Sequence, residues 1–315
     1  MTSRSSTTPS RMKNKHAVFI VGPTAVGKTA LAVKVAEELG TQIISADSRQ
    51  VYRELSIGTA VPGPEYTGRV RHHLLQHRSV EEGYNASMFE EEALQVMERL
   101  FRDHDTVVVT GGSGLYIQAL ESGIDDVPRA DPGIRTELLT RLDAEGIESL
   151  RFELKKLDPV SWASVDLRNP KRILKALEIS LTTGRPYSSF LTRKSKDRDF
   201  SILKIGLNLD RNELYARIEA RVDVMIGAGL LEEVRSCLAF RSLNALNTVG
   251  YKELFDYLDG RNSIDEAVRL IKRNSRRYAR RQLTWFNRDE EIAWFRPEQF
   301  SEIMEHIRRH APEGN

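Results

Sequence analysis

With 315 residues, 40% of them hydrophobic and 29% charged, the chain has the composition of an ordinary globular protein, long enough for one large α/β domain plus a smaller insertion. No apolar run approaches the ~20 residues that a membrane span needs, and a single cysteine, Cys237, excludes an internal disulfide framework or a multi-cysteine zinc module, so a water-soluble cytoplasmic protein is expected. The net charge of +2 is nearly balanced, which leaves any attraction for polyanions to local patches.

Residues 1–15 are rich in Ser and Thr, basic and free of acids, and read as a disordered tail. A transit peptide is the alternative, but no amphipathic face accompanies its arginines. Residues 17–21 form a continuous apolar run that predicts a strand, and Leu31, Ala32, Val35, Ala36 and Leu39 then recur at helical spacing until Gly40. Between them Gly22, Pro23, Thr24, Ala25, Val26, Gly27, Lys28 and Thr29 fit the pattern G-x-x-x-x-G-K-[ST]. That strand-to-helix turn lets backbone N–H groups close on phosphate oxygens; Lys28 adds a point charge and the Thr29 hydroxyl is placed for Mg²⁺.

A second strand is expected over residues 42–46, ending at Asp47. Next comes a helix with a capping box of Ser87 and Glu90 and an apolar face of Phe89, Ala93, Val96 or Met97, and Leu100, followed by a third strand over residues 106–110. Strand and helix in alternation predict a parallel sheet covered by helices, with ligands at the carboxyl ends of the strands. Asp47 and the phosphate loop should therefore share one crevice.

Strand signals disappear from Pro128 to Lys196, where Pro132, Pro159, Pro170 and Pro186 punctuate short amphipathic helices such as residues 169–181. This stretch reads as a helical insertion domain, residues 128–198, within a core domain of residues 16–127 and 199–315. Residues 201–209 return to the sheet, and helices are expected over 212–226 and 230–238, with Cys237 packing on a helix rather than serving as a nucleophile. Residues 269–288 carry eight Lys and Arg with no acid; helical spacing aligns Arg269, Arg273, Arg276 and Arg280 in one stripe, with Ile271 and Tyr278 on another side. Such a face attracts polyanions or simply balances acids elsewhere.

A phosphate loop serves ATPases, small-molecule kinases and diphosphate-displacing transferases alike. An ATPase usually closes an apolar strand with a metal-binding aspartate, yet the third strand runs into Thr110, Gly111, Gly112, Ser113 and Gly114 with no acid. The strand-end acid near the loop is Asp47, which either takes a proton from an incoming nucleophile or, like Ser48, caps a helix or turn.

The segments GPTAVGKT, SADSRQVYRELSIGTAVP, HHLL, GGSGLYIQAL, NPKRILKALE, TVGYKEL and RRYARRQLTWF stand in the order and approximate spacing of the tRNA dimethylallyltransferases. The chain resembles that family, also called IPP transferases, over nearly its whole length after the tail. The resemblance implies a P-loop NTPase-like core and transfer of a dimethylallyl group from dimethylallyl diphosphate to the exocyclic N6 amine of adenosine-37 beside the tRNA anticodon, releasing diphosphate. It further implies that the loop from Gly22 to Thr29 holds the diphosphate with Mg²⁺ near Thr29, that Asp47 is the general base, and that Arg221, with Arg217 second, contacts the diphosphate beside Lys28. An i,i+4 surface pair is the alternative for the two arginines. For tRNA the resemblance points to Asp47, Ser48, Arg49 and Gln50, to Ser113 and Arg135, to Lys171, Arg172, Ile173, Leu174 and Lys175, and to Asn247, Thr248, Val249, Gly250, Tyr251 and Lys252.

Ser113 stands where the family more often has threonine. Tyr251 or Gln50 is suited to meet a base, and the target base is expected to be flipped from the anticodon loop. Residues 282–286 are expected to be core packing rather than a stacking platform. Adjacent side chains diverge, so His72 and His73 suit a hydrogen-bonding structural role better than a metal site; the cysteines of the zinc finger found in eukaryotic relatives are missing. A monomer is expected. Two other readings stay open: a P-loop small-molecule kinase using ATP, and a non-catalytic RNA-binding protein.

Overall fold

The computed structural model describes residues 15–192 and 194–311, so the tail expected over residues 1–15 lies, apart from Lys15, outside the described residues. The chain divides into two compact units, one made of the residues up to Ser122 and from Asp197 onward, the other of Gly123–Lys196. The first unit opens with β1 (His16–Val21), α1 (Lys28–Glu38), β2 (Ile43–Ser45), α2 (Pro64–Thr67), β3 (His72–His73), α3 (Ala86–Leu100), β4 (Thr106–Gly111) and α4 (Gly114–Ser122). The second holds α5 (Pro132–Glu145), α6 (Ile147–Leu157), α7 (Pro159–Ser164) and α8 (Pro170–Thr183). The first then resumes with β5 (Ser201–Leu207), α9 (Arg211–Gly227), α10 (Leu230–Ser236), α11 (Tyr251–Leu258), α12 (Ile264–Phe286), β6 (Ala293–Phe295) and α13 (Phe300–His310).

Six parallel strands form one sheet in the order β3-β2-β4-β1-β5-β6. The continuous apolar runs explain the central strands: residues 17–21 and 107–109 are fully buried, as a strand covered on both faces must be. Val18 pairs with Val108 on one side and Leu203 on the other. Around them Leu31, Val35, Ile205, Leu214, Ile218 and Ile303 complete a core that fixes α1, α9 and α13 against the sheet. The strand order matters for the site, because β4 stands between β1 and β2. The turn after β4 therefore lies between the phosphate loop and Asp47.

Unit two has its own core of Leu138, Leu150, Leu154, Ile173, Leu174 and Leu177. Buried Asp158 caps α7 and accepts from Ser161 N (2.9 Å), Ser161 Oγ (2.6 Å), Ser188 N (2.7 Å) and Ser188 Oγ (2.7 Å).

Several expectations need correction. Helix α3 starts at Ala86, two residues after Tyr84, and its cap is Asn85, whose side chain accepts from Ser87 N and Met88 N. Glu90 does not reach back to a cap; it is buried and pairs with Arg198 at 2.9 Å. Helix α10 ends at Ser236, and Cys237 is its buried C-cap, with burial pushing the thiol pKa up. In the segment 282–286, Gln282 and Phe286 are buried, but Trp285 keeps 39% of its surface exposed. Among the described residues no helix is long and apolar enough to cross a membrane.

Candidate functional site

The carboxyl ends of β1, β2 and β4 open into a cavity of about 640 Å³ lined by Thr24, Lys28, Thr29, Asp47, Arg49, Gln50, Arg217 and Arg221, among others. The loop after β1 reaches its shape through Gly22 (φ 141°), Ala25 (φ 64°) and Gly27 (φ 109°). At Gly22 a side chain is excluded outright, because a Cβ would lie 2.5 Å from the Leu207 carbonyl oxygen. Ala25 holds a left-handed conformation that costs a non-glycine residue about 1 kcal/mol, strain of the kind that collects at functional loops.

Lys28 is partly buried and its Nζ donates to Gly22 O (3.0 Å) and Pro23 O (2.7 Å). Burial pushes its pKa down to about 7, Asp47 pulls upward and Arg221 downward. On α9, Arg221 Nη1 donates to Thr24 Oγ1 at 3.4 Å, and burial lowers its pKa against the pull of Asp47. One carboxylate thus acts on both cations of the cradle. Arg217 borders the same cavity and pairs with Glu213 at 2.8 Å, one turn back.

Asp47 follows β2. Its Oδ1 accepts from Arg49 N (2.9 Å) and Gln50 N (3.4 Å), while Oδ2 has no partner among the described residues. The bonds to Oδ1 cap the turn and fix the carboxylate in place.

The remaining residues named for RNA separate by exposure. Gln50 commits its amide to Thr59 O (3.1 Å) and Ala60 O (3.0 Å) in the cavity wall. Ser113 is buried and accepts from Ser48 N at 2.8 Å. Tyr251 has no exposed surface, and its hydroxyl donates to Glu233 Oε1 at 2.6 Å, so in this conformation it presents nothing to a base. Gly250 is buried too, while Thr248 and Val249 border the cavity and Asn247 and Lys252 are exposed. Ile173 and Leu174 belong to the core of the helical unit, which leaves Lys171, Arg172 and Lys175 on its surface. Arg135 is held at 2.7 Å by Glu178, a buried acid whose pKa burial raises.

Two of the four stripe arginines are already paired, Arg269 with Glu266 and Arg276 with Glu219, and neighbouring Lys272 pairs with Asp223; Glu219 and Asp223 are both on α9. His73 Nε2 meets Gln42 Oε1 at 2.7 Å, and His72 Nδ1 donates to Val70 O at 2.9 Å.

Sequence reasoning missed two contributors, one face of α12 and Glu233 on α10. Ile271, Ser275, Tyr278 and Gln282 line the cavity from α12 at steps of four, three and four, one helical face. The pairing of Ile271 with Tyr278 was legible; its continuation to Gln282 was the available signal. The Tyr278 phenol has its pKa raised by burial and by Asp47, so it stays neutral beside the carboxylate. Glu233 on α10 accepts from Ser56 N (2.9 Å), Ile57 N (2.7 Å) and Gly58 N (2.9 Å), tying down the segment that forms the cavity wall from Gly58 to Gly63. No sequence signal links residues so far apart.

The arrangement can bind a compact polyanion and remove a proton beside it. The family model described as IPP transferase matches residues 50–289. A tRNA dimethylallyltransferase 1 of Bacteroides thetaiotaomicron is 52% identical over 92% of this chain and 94% of its own, and a tRNA dimethylallyltransferase of Cytophaga hutchinsonii is 49% identical over 93% and 97%. The crystal structure of a full-length tRNA isopentenylpyrophosphate transferase from Bacillus halodurans superposes with a TM-score of 0.68 at 36% identity, covering 93% of this chain and 95% of that one. A eukaryotic dimethylallyltransferase acting on tRNA shares the fold, with a TM-score of 0.74 at 23% identity over 93% of this chain and 78% of that one. The match to the family model and the near full-length identity to its members agree with the cavity's chemistry, and the chain belongs to the IPP transferase family.

Proposed function

We propose that this cavity transfers a dimethylallyl group from dimethylallyl diphosphate to the N6 amine of adenosine-37 in tRNA, with Asp47 as general base. The observation that carries the reading is the placement of one carboxylate, with an unpartnered Oδ2, so that it acts on both Lys28 and Arg221 at the phosphate loop. An adenine amino nitrogen is a poor nucleophile because its lone pair is delocalised. Asp47 Oδ2 takes the amine proton as the carbon–nitrogen bond forms, and the donor's carbon–oxygen bond breaks with its electron pair going to the diphosphate. Lys28, Arg221 and the N–H groups from Ala25 to Thr29 receive the charge that develops there.

The donor set suits Mg²⁺: the Thr29 hydroxyl is a hard oxygen ligand at the cavity, and Mg²⁺ is usually held by one or two protein oxygens plus substrate phosphates and water. When bound, it would neutralise charge on the diphosphate. The target base must leave its stack to bring its amine to Asp47. We take the helical insertion, with Lys171, Arg172 and Lys175, to contact tRNA, and the enzyme to work as a cytoplasmic monomer.

Incubation with isotopically labelled dimethylallyl diphosphate and unmodified tRNA tests the reading. Label should appear on the RNA, and Asp47→Ala should slow transfer by roughly 10²- to 10⁴-fold. ATP-dependent phosphorylation of a small molecule, with no label on RNA, would sink it in favour of a kinase.

A further inference from the structure

The cradle and the base belong to different strands, β1 and β2, with the turn after β4 between them, and something must hold the three at fixed spacing. Gln282 makes the connection. Its Oε1 accepts from Thr24 N at 2.8 Å and its Nε2 donates to Gly112 O at 2.8 Å, and the residue is 6% exposed. One residue on, Ser113 Oγ accepts from Ser48 N at 2.8 Å, next to Asp47. A continuous path of hydrogen bonds and single peptide links thus runs from the phosphate loop to the base.

Both ends of the amide are committed in a single orientation, since one partner is a donor and the other an acceptor. The turn is shaped for this contact: a Cβ at Gly112 would lie 2.2 Å from Gln282 Nε2, and one at Gly114 would lie 2.3 Å from the Trp285 ring. Gly112 and Gly114 thus leave room for α12, and Gly111 for the Ala46 carbonyl, whose oxygen a Cβ would approach to 2.1 Å. Engaging the Thr24 amide also takes that N–H away from the diphosphate, which assigns phosphate binding to the amides further along the loop.

We propose that Gln282 is a positioning residue that sets the distance between the diphosphate cradle and Asp47; the proposal rests on the transfer reading above. Reacting groups displaced by about 1 Å lose on the order of 10²-fold in rate even when both substrates still bind. Gln282 therefore acts on the rate of the chemical step through Thr24 and Gly112.

The test is Gln282→Met, similar in volume but unable to bridge, measured in single turnover with labelled donor and tRNA. Transfer should slow roughly 10- to 100-fold, while binding of tRNA and of inorganic pyrophosphate weakens by no more than about twofold, because neither ligand's own contacts are removed. Gly112→Ala attacks the same contact from the turn and should give the same split between rate and binding, so the proposal stays testable if one variant does not fold. A folded variant of either kind that transfers at the wild-type rate, or whose lost rate is matched by weakened binding, overturns it. Wild-type enzyme that fails to label tRNA in the same assay would instead overturn the transfer reading.

Discussion

Lys28 is an ammonium in a place that disfavours charge. It is partly desolvated against two carbonyl oxygens, and its pKa falls to about 7, so near neutral pH it is only partly charged. A diphosphate brings the missing counter-charge and holds the proton on, raising the pKa in the complex. The sign follows: below about pH 7 both states are protonated and affinity is highest, whereas above it the free enzyme has lost a proton that the complex must regain, so affinity falls with rising pH. Calorimetry with inorganic pyrophosphate at pH 8, repeated in buffers of different ionisation enthalpy, should show wild type taking up more protons than Lys28→Arg, by an amount approaching about one, since a guanidinium stays charged in both states. Equal uptake by the two proteins would refute the titrating lysine. Arg221 cannot play this part: its pKa is lowered by burial too, yet it starts far above neutrality.

The wall segment that faces the cradle is held by an element remote in sequence. Glu233 on α10 gathers three consecutive amides, and Tyr251 on α11 both donates to it and packs so tightly that a Cβ at Gly58 would sit 2.6 Å from its ring. Glu233→Ala leaves those donors without a partner and should cost about 3 kcal/mol, two or more charge-assisted bonds less what water recovers. Urea unfolding reads the loss, and hydrogen exchange should accelerate at the amides of Ser56, Ile57 and Gly58; protection unchanged at those three would refute the clamp. A second clamp sits in the helical unit. Burial would raise the Asp158 carboxyl, but its bonds to Ser161 and Ser188 outweigh that and hold its pKa below the usual carboxylate range. A depressed folded-state value contributes stability above the unfolded pKa of about 3.9 and loses it as pH falls through the folded one. Asp158→Asn should therefore narrow the gap in melting temperature between pH 7 and pH 3 relative to wild type; an unchanged gap would contradict it.

These clamps mark the boundary of what the sequence discloses at this scale. The central strands and α1 were legible because burial on both faces leaves an unbroken apolar run, and the phosphate loop because its backbone demands glycine and lysine at fixed offsets. The edge strands His72–His73 and Ala293–Phe295 were not, since two or three half-exposed residues carry no period. The start of α3 is ambiguous in the sequence because Asn85 and Ser87 are both good caps; Asn85 takes the role, and Glu90 pairs with Arg198 instead of completing a box with Ser87. Tyr251 was read as a base contact because an aromatic beside a glycine-containing loop looks the same whether it faces solvent or, as here, Glu233.

Across the whole molecule, charge is close to balance, so long-range attraction for an RNA is weak and the positive groups left unpaired must do the binding. The arginines and lysines of α12 that face α9 are spent on Glu219 and Asp223, whereas Lys171 and Arg172 sit exposed in the first turn of α8. Cations there oppose the helix dipole and cost the helix a few tenths of a kcal/mol, a penalty that a phosphate at the same place would turn into attraction. Asn169, which caps the helix through Lys171 N, keeps that end ordered. If each cation meets one phosphate, replacing both Lys171 and Arg172 with Ala removes two contacts, and the slope of log affinity against log salt should shrink by roughly 1.4 to 1.8. Binding of inorganic pyrophosphate should be unaffected, because the proposed cradle of Lys28 and Arg221 is untouched. Titrations of tRNA over a series of KCl concentrations measure the slope directly; a double variant with the wild-type slope would show that the anticodon arm does not meet this end of α8.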